Sequence, residues 1–435
     1  MEFLLKEWQE TWIPKLKPRA ISLDVLPKNI RKIITFSGIR RCGKTYIMFQ
    51  LIEELAKKYP KECIFYINFE DERIEKKTEN LTKLIPALIK LYGEKEYFLF
   101  LDEIQVMPEW SQWLRRIYDH YHNITLFVSG SSSKISSKEI PTELRGRALN
   151  HEVFPLSFKE FLSFKGIRID DSLEYQERKL SIVKGLLDEY LTLGGFPEVA
   201  LEESLPNKRA DIQEYFKTIV LRDIIERNRV KKSLLLDDFL RLILNTKIFS
   251  VNKTYNILKS QGKTVGKETL LKYARYCEDA YFCFFMPIFS YKIKNQMQYP
   301  KKVYFSDNGF ISALSLKFTK DLGALYENTV FLELKRKIQY NNKGIYYWKS
   351  AQQEEVDFAI KDGFEVKKLI QVCSDIHDTR TKEREVRALL KGRKELKCKD
   401  LLIITDDYEG EKEANWHGIH SKIIYIPLWK WLLNN

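Results

Sequence analysis

Four residues with fixed spacing, Gly38, Gly43, Lys44 and Thr45, match the pattern G-x-x-x-x-G-K-[ST] within the stretch GIRRCGKT. In such a loop the backbone N–H groups point at phosphate oxygens. The lysine reaches the β and γ phosphates, and the threonine hydroxyl is a ligand for Mg²⁺. The stretch therefore predicts a binding loop for ATP with Mg²⁺. The residues expected to line the nucleotide are Gly38, Ile39, Arg40, Arg41, Cys42, Gly43, Lys44, Thr45 and Tyr46.

The segments on either side of this loop predict the elements that must hold it. RKIITFSG before the loop is an apolar run typical of a buried strand, and TYIMFQLIEELAKKY after it has apolar residues at helical spacing. A glycine loop between a strand and a helix is the context that the motif requires. The alternative is a plain strand–turn–helix with incidental glycines, and the match of both motif and context argues against it.

A pair of acids at the end of a second apolar run, YFLFLDEIQ, could also do chemistry. A continuous apolar strand is typical of a parallel sheet that is buried on both faces. Asp102 at its end is suited to hold Mg²⁺ through water, and Glu103 to orient and deprotonate the attacking water. A strand that merely ends in acidic turn residues is the alternative. That alternative is disfavoured because a well-formed phosphate loop precedes this strand in the chain.

Two further runs, ECIFYINFE and NITLFVSGSSS, predict additional strands of the same open α/β sheet. Ser129 and Ser131 lie where the second run ends. There a hydroxyl could contact the γ phosphate or the attacking water, which makes Ser131 a candidate catalytic residue. Capping of the next turn explains a serine at this place equally well.

The length and composition of the chain indicate its number of domains, its class of partner and its compartment. The chain has 435 residues, which suggests about three domains. Its net charge of +13 favours a polyanionic partner, although basic proteins are common. Six cysteines without paired spacing argue against a disulfide framework or a zinc site, so a reducing cytoplasm is expected. The longest aromatic-rich apolar run, YFCFFMPIF, is too short to span a bilayer, so no membrane location is expected.

These segments together resemble the AAA+ class of P-loop ATPases, and within it the prokaryotic ATPases with a C-terminal domain of unknown function (DUF4143-like). The matching stretches stand in the family's order and cover nearly the whole chain: GIRRCGKT, LDEIQVMPEW, VSGSSS, ELRGRALNHEVFPLSFKEFL, YLTLGGFPEVAL and KTIVLRDIIERNRV. The resemblance implies a P-loop core and a helical lid. It does not imply what ATP turnover drives.

The resemblance also implies roles for three residues. LRGR lies just before the expected fifth strand, where AAA+ proteins carry an arginine finger. Arg145 or Arg147 would then reach the γ phosphate of a neighbouring subunit in a homo-oligomer, and a solvated basic turn is the alternative. GGFPE resembles the glycine-x-proline signature of the lid in signalling P-loop ATPases, where Pro197 would pack near the base or ribose. A loop-to-helix turn explains this stretch as well.

Residues 233–313 carry twelve Lys or Arg and only six Asp or Glu. Two predicted helices separated by the turn QGKTVG, followed by two strands around a basic tip, have the outline of a winged helix-turn-helix. Contact with double-stranded DNA and a merely solvated charged face are both open, since no obvious base-reading Asn or Gln stands out. The candidate DNA contacts are Lys267, Lys272, Arg275, Lys292 and Lys294.

The last segment has the order of acids found in PD-(D/E)xK nucleases, and the family's tail resembles that fold. Glu327 and Glu333 lie on a predicted helix and Asp357 on a strand, but Gln371 and Cys373 stand where the Glu and Lys of E-x-K are expected. Glu365 and Lys367 also spell E-x-K, in what the sequence predicts to be the turn before the strand. Two carboxylates and a lysine support metal-dependent hydrolysis, so the tail is expected to have the nuclease fold without reliable nuclease chemistry.

The predicted fold class is α/β, with four parts: a P-loop core (1–152), a helical lid (153–232), a winged helix (233–313) and a degenerate nuclease-like domain (314–435). The predicted function is Mg²⁺-dependent ATP binding and hydrolysis coupled to DNA binding. A nucleotide-dependent signalling or assembly switch without DNA is the first alternative. An ATP-gated nuclease, which would lose its cutting in Asp357→Ala, is the second.

Overall fold

A computed structural model describes the chain except for residues 12, 22–23, 25–26, 28–29, 132–143, 145, 170–175, 315–320, 340–342, 377 and 435. The chain forms two compact units. The first comprises Met1–Pro155 with Asp279–Tyr281, and the second comprises Leu156–Glu278 with Phe282–Asn435. The division into four parts predicted from the sequence stays a prediction.

The first unit is built on a parallel sheet of five strands in the order β2-β3-β4-β1-β5. Every residue of β1 and β3 is buried, as the continuous apolar runs predict for a sheet covered on both faces. The strands are β1 (Ile33–Ser37), β2 (Ile64–Asn68), β3 (Tyr97–Asp102), β4 (Ile124–Gly130) and β5 (Ala148–Glu152), and the helices are α1 (Glu2–Glu10), α2 (Lys44–Ala56), α3 (Thr78–Tyr92) and α4 (Trp110–His120).

The chain order and the sheet order together decide where the first unit carries its polar residues. Strand β1 lies between β4 and β5, and β3 lies beside β4, so the carboxyl ends of β1, β3 and β4 meet at one edge of the sheet. The phosphate-loop motif follows β1 and the acid pair closes β3. Open α/β sheets bind ligands outside the carboxyl ends of their strands.

The second unit begins with helices: α5 (Phe158–Phe164), α6 (Glu177–Leu193), α7 (Pro197–Leu201), α8 (Leu205–Thr218), a π-helical turn (Ile219–Glu226) and α9 (Ser233–Leu244). A small antiparallel sheet in the order β6-β8-β7 follows. Its elements are β6 (Ile248–Phe249), α10 (Val251–Ser260), α11 (Lys267–Asp279), β7 (Cys283–Met286), α12 (Ile293–Gln298) and β8 (Lys301–Phe305).

A mixed sheet of six strands in the order β13-β14-β12-β11-β10-β9 completes the second unit. Strands β11, β12 and β14 run parallel, and the remaining neighbours pair antiparallel. The elements are α13 (Asn308–Leu314), α14 (Leu322–Ile338), β9 (Lys343–Lys349), β10 (Glu355–Asp362), β11 (Glu365–Cys373), α15 (Thr379–Leu396), β12 (Asp400–Thr405), β13 (Gly410–Trp416), β14 (Ile419–Pro427) and α16 (Leu428–Leu433).

Three details differ from the sequence-based expectations. Glu365 and Lys367 lie in the first residues of β11 rather than in a turn, and their exposed side chains pair with each other. A short helix, α12, stands where a plain hairpin tip was expected between β7 and β8. The sequence pattern predicts Tyr281 as the last inward residue of the second helix, but it lies beyond the end of α11, and its hydroxyl donates to Ser37 Oγ at 2.8 Å. Pairing with β10 extends β11 to Glu365, and a long-range hydrogen bond holds Tyr281. Among the described helices, each is too short or too polar to cross a membrane.

Candidate functional site

The loop between β1 and α2 depends on its two glycines. A Cβ on Gly38 would lie 2.1 Å from the carbonyl oxygen of Val153, so a larger residue would displace the backbone. Gly43 has φ of 96° and caps the first turn of α2, a left-handed conformation that glycine adopts without strain. The glycines of the motif are therefore required by the backbone geometry of this loop.

Lys44 points into the loop rather than into solvent. Its side chain is buried, and Nζ donates to the carbonyls of Gly38 and Ile39, each at 3.1 Å. Glu103 Oε1 lies 3.9 Å from the same ammonium. The loop thus holds a positive charge at the start of α2, where the N–H groups of a helix already favour an anion.

Asp102 is the centre of a network of hydroxyl groups. Thr45 Oγ1 donates to Asp102 Oδ2 at 2.7 Å, and the Tyr66 hydroxyl donates to the same oxygen at 2.8 Å. The Ser129 hydroxyl donates to Asp102 Oδ1. Burial and the neighbouring Glu103 raise the pKa of Asp102, while these three hydroxyls oppose the shift. The hydrogen bonds therefore favour the ionised form of a group whose burial favours the protonated form.

Glu103 is held in an unusual backbone conformation, with φ of 51°. Its Oε2 accepts from the backbone N–H of Ser131 at 3.2 Å and from the side-chain amide of Gln105. Burial alone would raise the pKa of Glu103, but the positive charges of Lys44 and Arg40 outweigh it and hold the pKa below its usual range. The side chain is therefore ionised and aimed at the phosphate loop, as a proton acceptor requires.

The site also shows where a ligand would fit. The Thr45 hydroxyl and the Asp102 carboxylate are adjacent hard oxygen donors, the type that Mg²⁺ prefers. Gln105 Oε1 is buried and accepts no hydrogen bond from the described part of the chain. A buried acceptor without a partner is uncommon unless water or a ligand completes it. These observations fit a Mg²⁺–nucleotide complex beside the loop.

Other predicted loop residues have different surroundings. Arg40 forms a two-point ion pair with Glu70, at 3.1 and 3.3 Å. Ile39 and Cys42 are buried inside the loop, and burial raises the pKa of the Cys42 thiol. Tyr46 is half exposed on the first turn of α2. The loop therefore combines two buried apolar side chains with one arginine whose charge is already paired.

Four further predicted residues lie outside the loop, and the structure describes three of them. Arg147 donates to Asp119 Oδ1 at 2.9 Å, and Arg145 lies outside the described residues. Ser131 contributes its backbone N–H to Glu103. Pro197 is the first residue of α7 in the second unit, so its expected contact with a base or ribose stays a prediction.

Sequence reasoning missed several residues of this network. Tyr66, Glu70 and Gln105 contact Asp102, Arg40 and Glu103, respectively. Tyr66 faces Asp102 because β2 pairs with β3, and Gln105 reaches back from the turn after β3. For Glu70 and Gln105 the available signal was a polar residue just after a strand. Tyr66 lies in the middle of β2, so only the strand order brings it to Asp102.

The tail residues also meet in space. Asp357 on β10 lies near Glu327 on α14, and Gln371 Oε1 accepts from the backbone N–H of Asp357 at 3.2 Å. Glu333 instead pairs with Arg336 on its own helix, and Cys373 is buried. Lys302, from β8, contacts both Glu327 and Asp357. This lysine was missed because it stands 55 residues before Asp357.

Comparison with known proteins places these features in a family. Residues 30–162 match the model described as AAA domain, and residues 184–321 and 322–429 match two domains of unknown function, DUF8612 and DUF4143. The uncharacterized protein MJ1544 of Methanocaldococcus jannaschii is 38% identical over 424 residues, which is 96% of this chain and 91% of that protein. An uncharacterized protein of Haemophilus influenzae is 28% identical over 402 residues, 91% of this chain and 94% of that protein.

Among solved structures, the Walker-type ATPase paby2304 of Pyrococcus abyssi is similar with a TM-score of 0.45 and 14% identity, over 72% of this chain and 94% of that one. The Asp102 and Glu103 network lies inside the segment that matches the AAA domain, and the cluster around Asp357 lies largely inside the segment that matches DUF4143. The chain belongs to the family of AAA+ ATPases that carry a C-terminal DUF4143 domain.

Proposed function

We propose that the protein binds ATP with Mg²⁺ at the loop between β1 and α2 and hydrolyses it. The observation that carries this proposal is the single network that joins Lys44, Thr45, Asp102 and Glu103 at the carboxyl ends of β1 and β3. Phosphoryl transfer is accelerated mainly by positioning and by electrostatic stabilisation, and these four side chains are the groups needed for both.

Each side chain has one task in the proposed reaction. Lys44 and the N–H groups at the start of α2 bind the phosphates. Thr45 and Asp102 would hold Mg²⁺, which neutralises the negative charge that develops on the phosphates. Glu103 orients the attacking water and accepts its proton, because its carboxylate is ionised and directed at the loop.

The test is steady-state ATP turnover of the wild type and of Glu103→Gln. Glutamine keeps the size of the side chain but cannot accept the proton, so kcat should fall by about 10²–10⁴-fold while nucleotide binding persists. Glu109→Gln is the matched control, because Glu109 is exposed in the following turn. If Glu103→Gln turns over ATP at the wild-type rate, another group must be the base.

A second proposed activity is DNA binding by the segment from α9 to β8. Its elements follow the order helix, strand, two helices, strand, short helix and strand, with β8 between β6 and β7. Helix α11 buries Leu270, Ala274 and Cys277 and exposes Lys267 and Lys272. This arrangement supports a winged helix in which α11 enters the major groove and the segment around Lys292 and Lys294 contacts phosphates. Arg275 is also exposed on α11.

DNA binding is tested by titrating duplex DNA at several salt concentrations. We expect affinity to fall steeply with salt, and Lys267→Gln/Lys272→Gln to reduce the slope of log K against log salt by about 1.8, since each phosphate contact contributes about 0.9. Lys57→Gln/Lys58→Gln removes the same charge from exposed positions after α2 and should leave the slope nearly unchanged.

The same ATP assay, with and without DNA, separates two proposed outputs. Turnover that duplex DNA stimulates supports a DNA-associated ATPase. Slow turnover that is indifferent to DNA, with retained nucleotide and ATP-dependent oligomers, contradicts the coupling to DNA and favours a nucleotide-dependent switch.

A further inference from the structure

The most unusual polar cluster of the second unit surrounds the ammonium of Lys302. This residue lies on β8 and is only 4% exposed. Its Nζ lies 2.8 Å from one oxygen each of Glu327, Glu355 and Asp357. A lysine ammonium has three N–H donors, so the three carboxylates saturate it.

The neighbouring groups fix each carboxylate in place. The Tyr304 hydroxyl donates to Glu327 at 2.7 Å, and the backbone N–H of Val372 donates to the second oxygen of Asp357 at 3.0 Å. Lys349 Nζ lies 3.9 Å from the second oxygen of Glu355. A polar cavity of about 500 Å³ opens beside the cluster, so the carboxylates are reachable from solvent.

The cluster carries more negative than positive charge. Three carboxylates meet one fully buried ammonium, with Lys349 at the edge. Burial and the charge of Glu327 raise the pKa of Asp357 to about 7, even though Lys302 opposes the shift. Burial disfavours the charged form of Lys302, but Asp357 and Glu327 outweigh it and raise the pKa of the lysine. The carboxylates therefore depend on this ammonium for their compensation.

We propose that Lys302 is an internal cation that occupies the place among Glu327, Glu355 and Asp357 where a divalent cation would otherwise bind. Side-chain oxygens from a helix and a strand that converge on one point are typical ligands of Ca²⁺ and Mg²⁺. Here the ammonium holds them 2.8 Å from its nitrogen, wider than the Ca–O distance of about 2.3–2.6 Å. Within the described residues, no group of three or more His, Cys, Asp or Glu is arranged to hold a metal ion.

The lysine and the three carboxylates come from two different segments of the chain. Lys302 belongs to the segment that matches DUF8612, whereas the three carboxylates belong to the segment that matches DUF4143. The ion cluster therefore joins the small sheet of β6, β7 and β8 to the C-terminal domain. A nuclease-like site closed in this way ties two segments together instead of binding the metal that phosphodiester hydrolysis would use.

The test is Ca²⁺ binding by Lys302→Ala, measured by calorimetry on the full chain without nucleotide. Alanine removes the charge and also vacates the place of the ammonium, so the three carboxylates should then bind about one Ca²⁺, at least tenfold more tightly than the wild type does. The melting temperature of Lys302→Ala should also rise with Ca²⁺. Lys301→Ala, which changes the neighbouring lysine on β8, should behave like the wild type.

Two further variants make the test decisive. Lys302→Ala/Asp357→Asn should lose the new Ca²⁺ site. The proposal is overturned if the wild type binds Ca²⁺ as tightly as Lys302→Ala and loses it in Asp357→Asn, or if folded Lys302→Ala does not respond to Ca²⁺. If Lys302→Ala does not fold alone, Lys302→Ser and refolding in Ca²⁺ provide the same comparison. Failure of Ca²⁺ to rescue either variant then contradicts the proposal.

Discussion

At the scale of single residues, the hydrogen bonds to Asp102 matter as much as its position. A buried carboxylate tends to take up a proton because water no longer stabilises its charge. The hydroxyl groups of Thr45, Tyr66 and Ser129 each donate a hydrogen bond to this carboxylate and thereby favour its ionised form. Tyr66 is the member of this set that sequence motifs did not predict.

Tyr66→Phe should impair ATP turnover, mainly at low pH. Removing the hydroxyl takes away a hydrogen bond that lowers the pKa of Asp102. The pKa of Asp102 then rises, and activity is lost at a higher pH as the solution is acidified. A hydrogen bond to a charged group contributes about 1.5–3 kcal/mol, so the acid limb of the pH–rate profile should move up by about 1–2 pH units.

The pH–rate profile of ATP turnover distinguishes this effect from a loss of packing. Tyr97→Phe is the control, because the Tyr97 hydroxyl donates to the Gly93 carbonyl at 2.5 Å and does not touch Asp102. An acid limb at the same pH in Tyr66→Phe and Tyr97→Phe would show that Tyr66 does not tune Asp102.

At the scale of elements, the end of α6 shows how long-range packing selects a glycine. Gly194 has φ of 80° at the C-cap of α6, and a Cβ there would lie 1.6 Å from Asp307 Oδ1. Asp307 accepts from the backbone N–H groups of Gly195 and Gly309, at 2.7 and 2.8 Å. The GG of GGFPE is thus explained by a buried aspartate that ties α6 to α13.

Two glycine substitutions in α6 should have opposite effects on stability. Gly194→Ala forces a side chain against Asp307 and should lower the free energy of unfolding by about 1–3 kcal/mol. Gly185 lies on an exposed face of α6, and a Cβ there would have no atom within 4 Å. Gly185→Ala should therefore raise the free energy of unfolding by about 0.5–1 kcal/mol. Thermal and urea unfolding of both variants measure the difference. Equal stabilities would show that Asp307 moves aside without cost.

At the scale of the whole molecule, the arginine finger predicted at Arg147 would require a second copy of the chain. Its guanidinium pairs with Asp119 across a partly exposed surface. Surface ion pairs contribute little to stability, so a neighbouring subunit's phosphate could replace Asp119 as a partner. An arginine that acts in trans accelerates hydrolysis by about 10³-fold or more.

Mixing inactive variants tests this assembly. Arg147→Ala should lose about 10³-fold in kcat, and Lys44→Ala should lose nucleotide binding. If Arg147 acts in trans, mixing the two restores turnover above the sum of the separate proteins, because one subunit supplies the arginine and the other supplies the phosphate loop. Asp119→Asn, which leaves Arg147 in place, should remain active. A wild-type kcat in Arg147→Ala would show that Arg147 is not an arginine finger.

The local sequence was sufficient to predict those functional residues that lie within a few positions of one another. The loop from Gly38 to Thr45 and the acids Asp102 and Glu103 follow single strands, so spacing alone predicts both groups. The exposed lysines of α11 follow in the same way from helical periodicity. Such features are determined by backbone sterics and by the burial of apolar residues, which act over one element.

The tertiary structure decided which of these elements meet. The order β2-β3-β4-β1-β5 brings Tyr66 to Asp102, and the approach of β8 to β10 brings Lys302 to Asp357. The sequence has Gln371 and Cys373 where the Glu and Lys of E-x-K are expected, yet the fold brings a lysine from another segment to the acids. Buried charges must find compensating partners wherever the packing places them, so distance along the chain carries little information about these contacts.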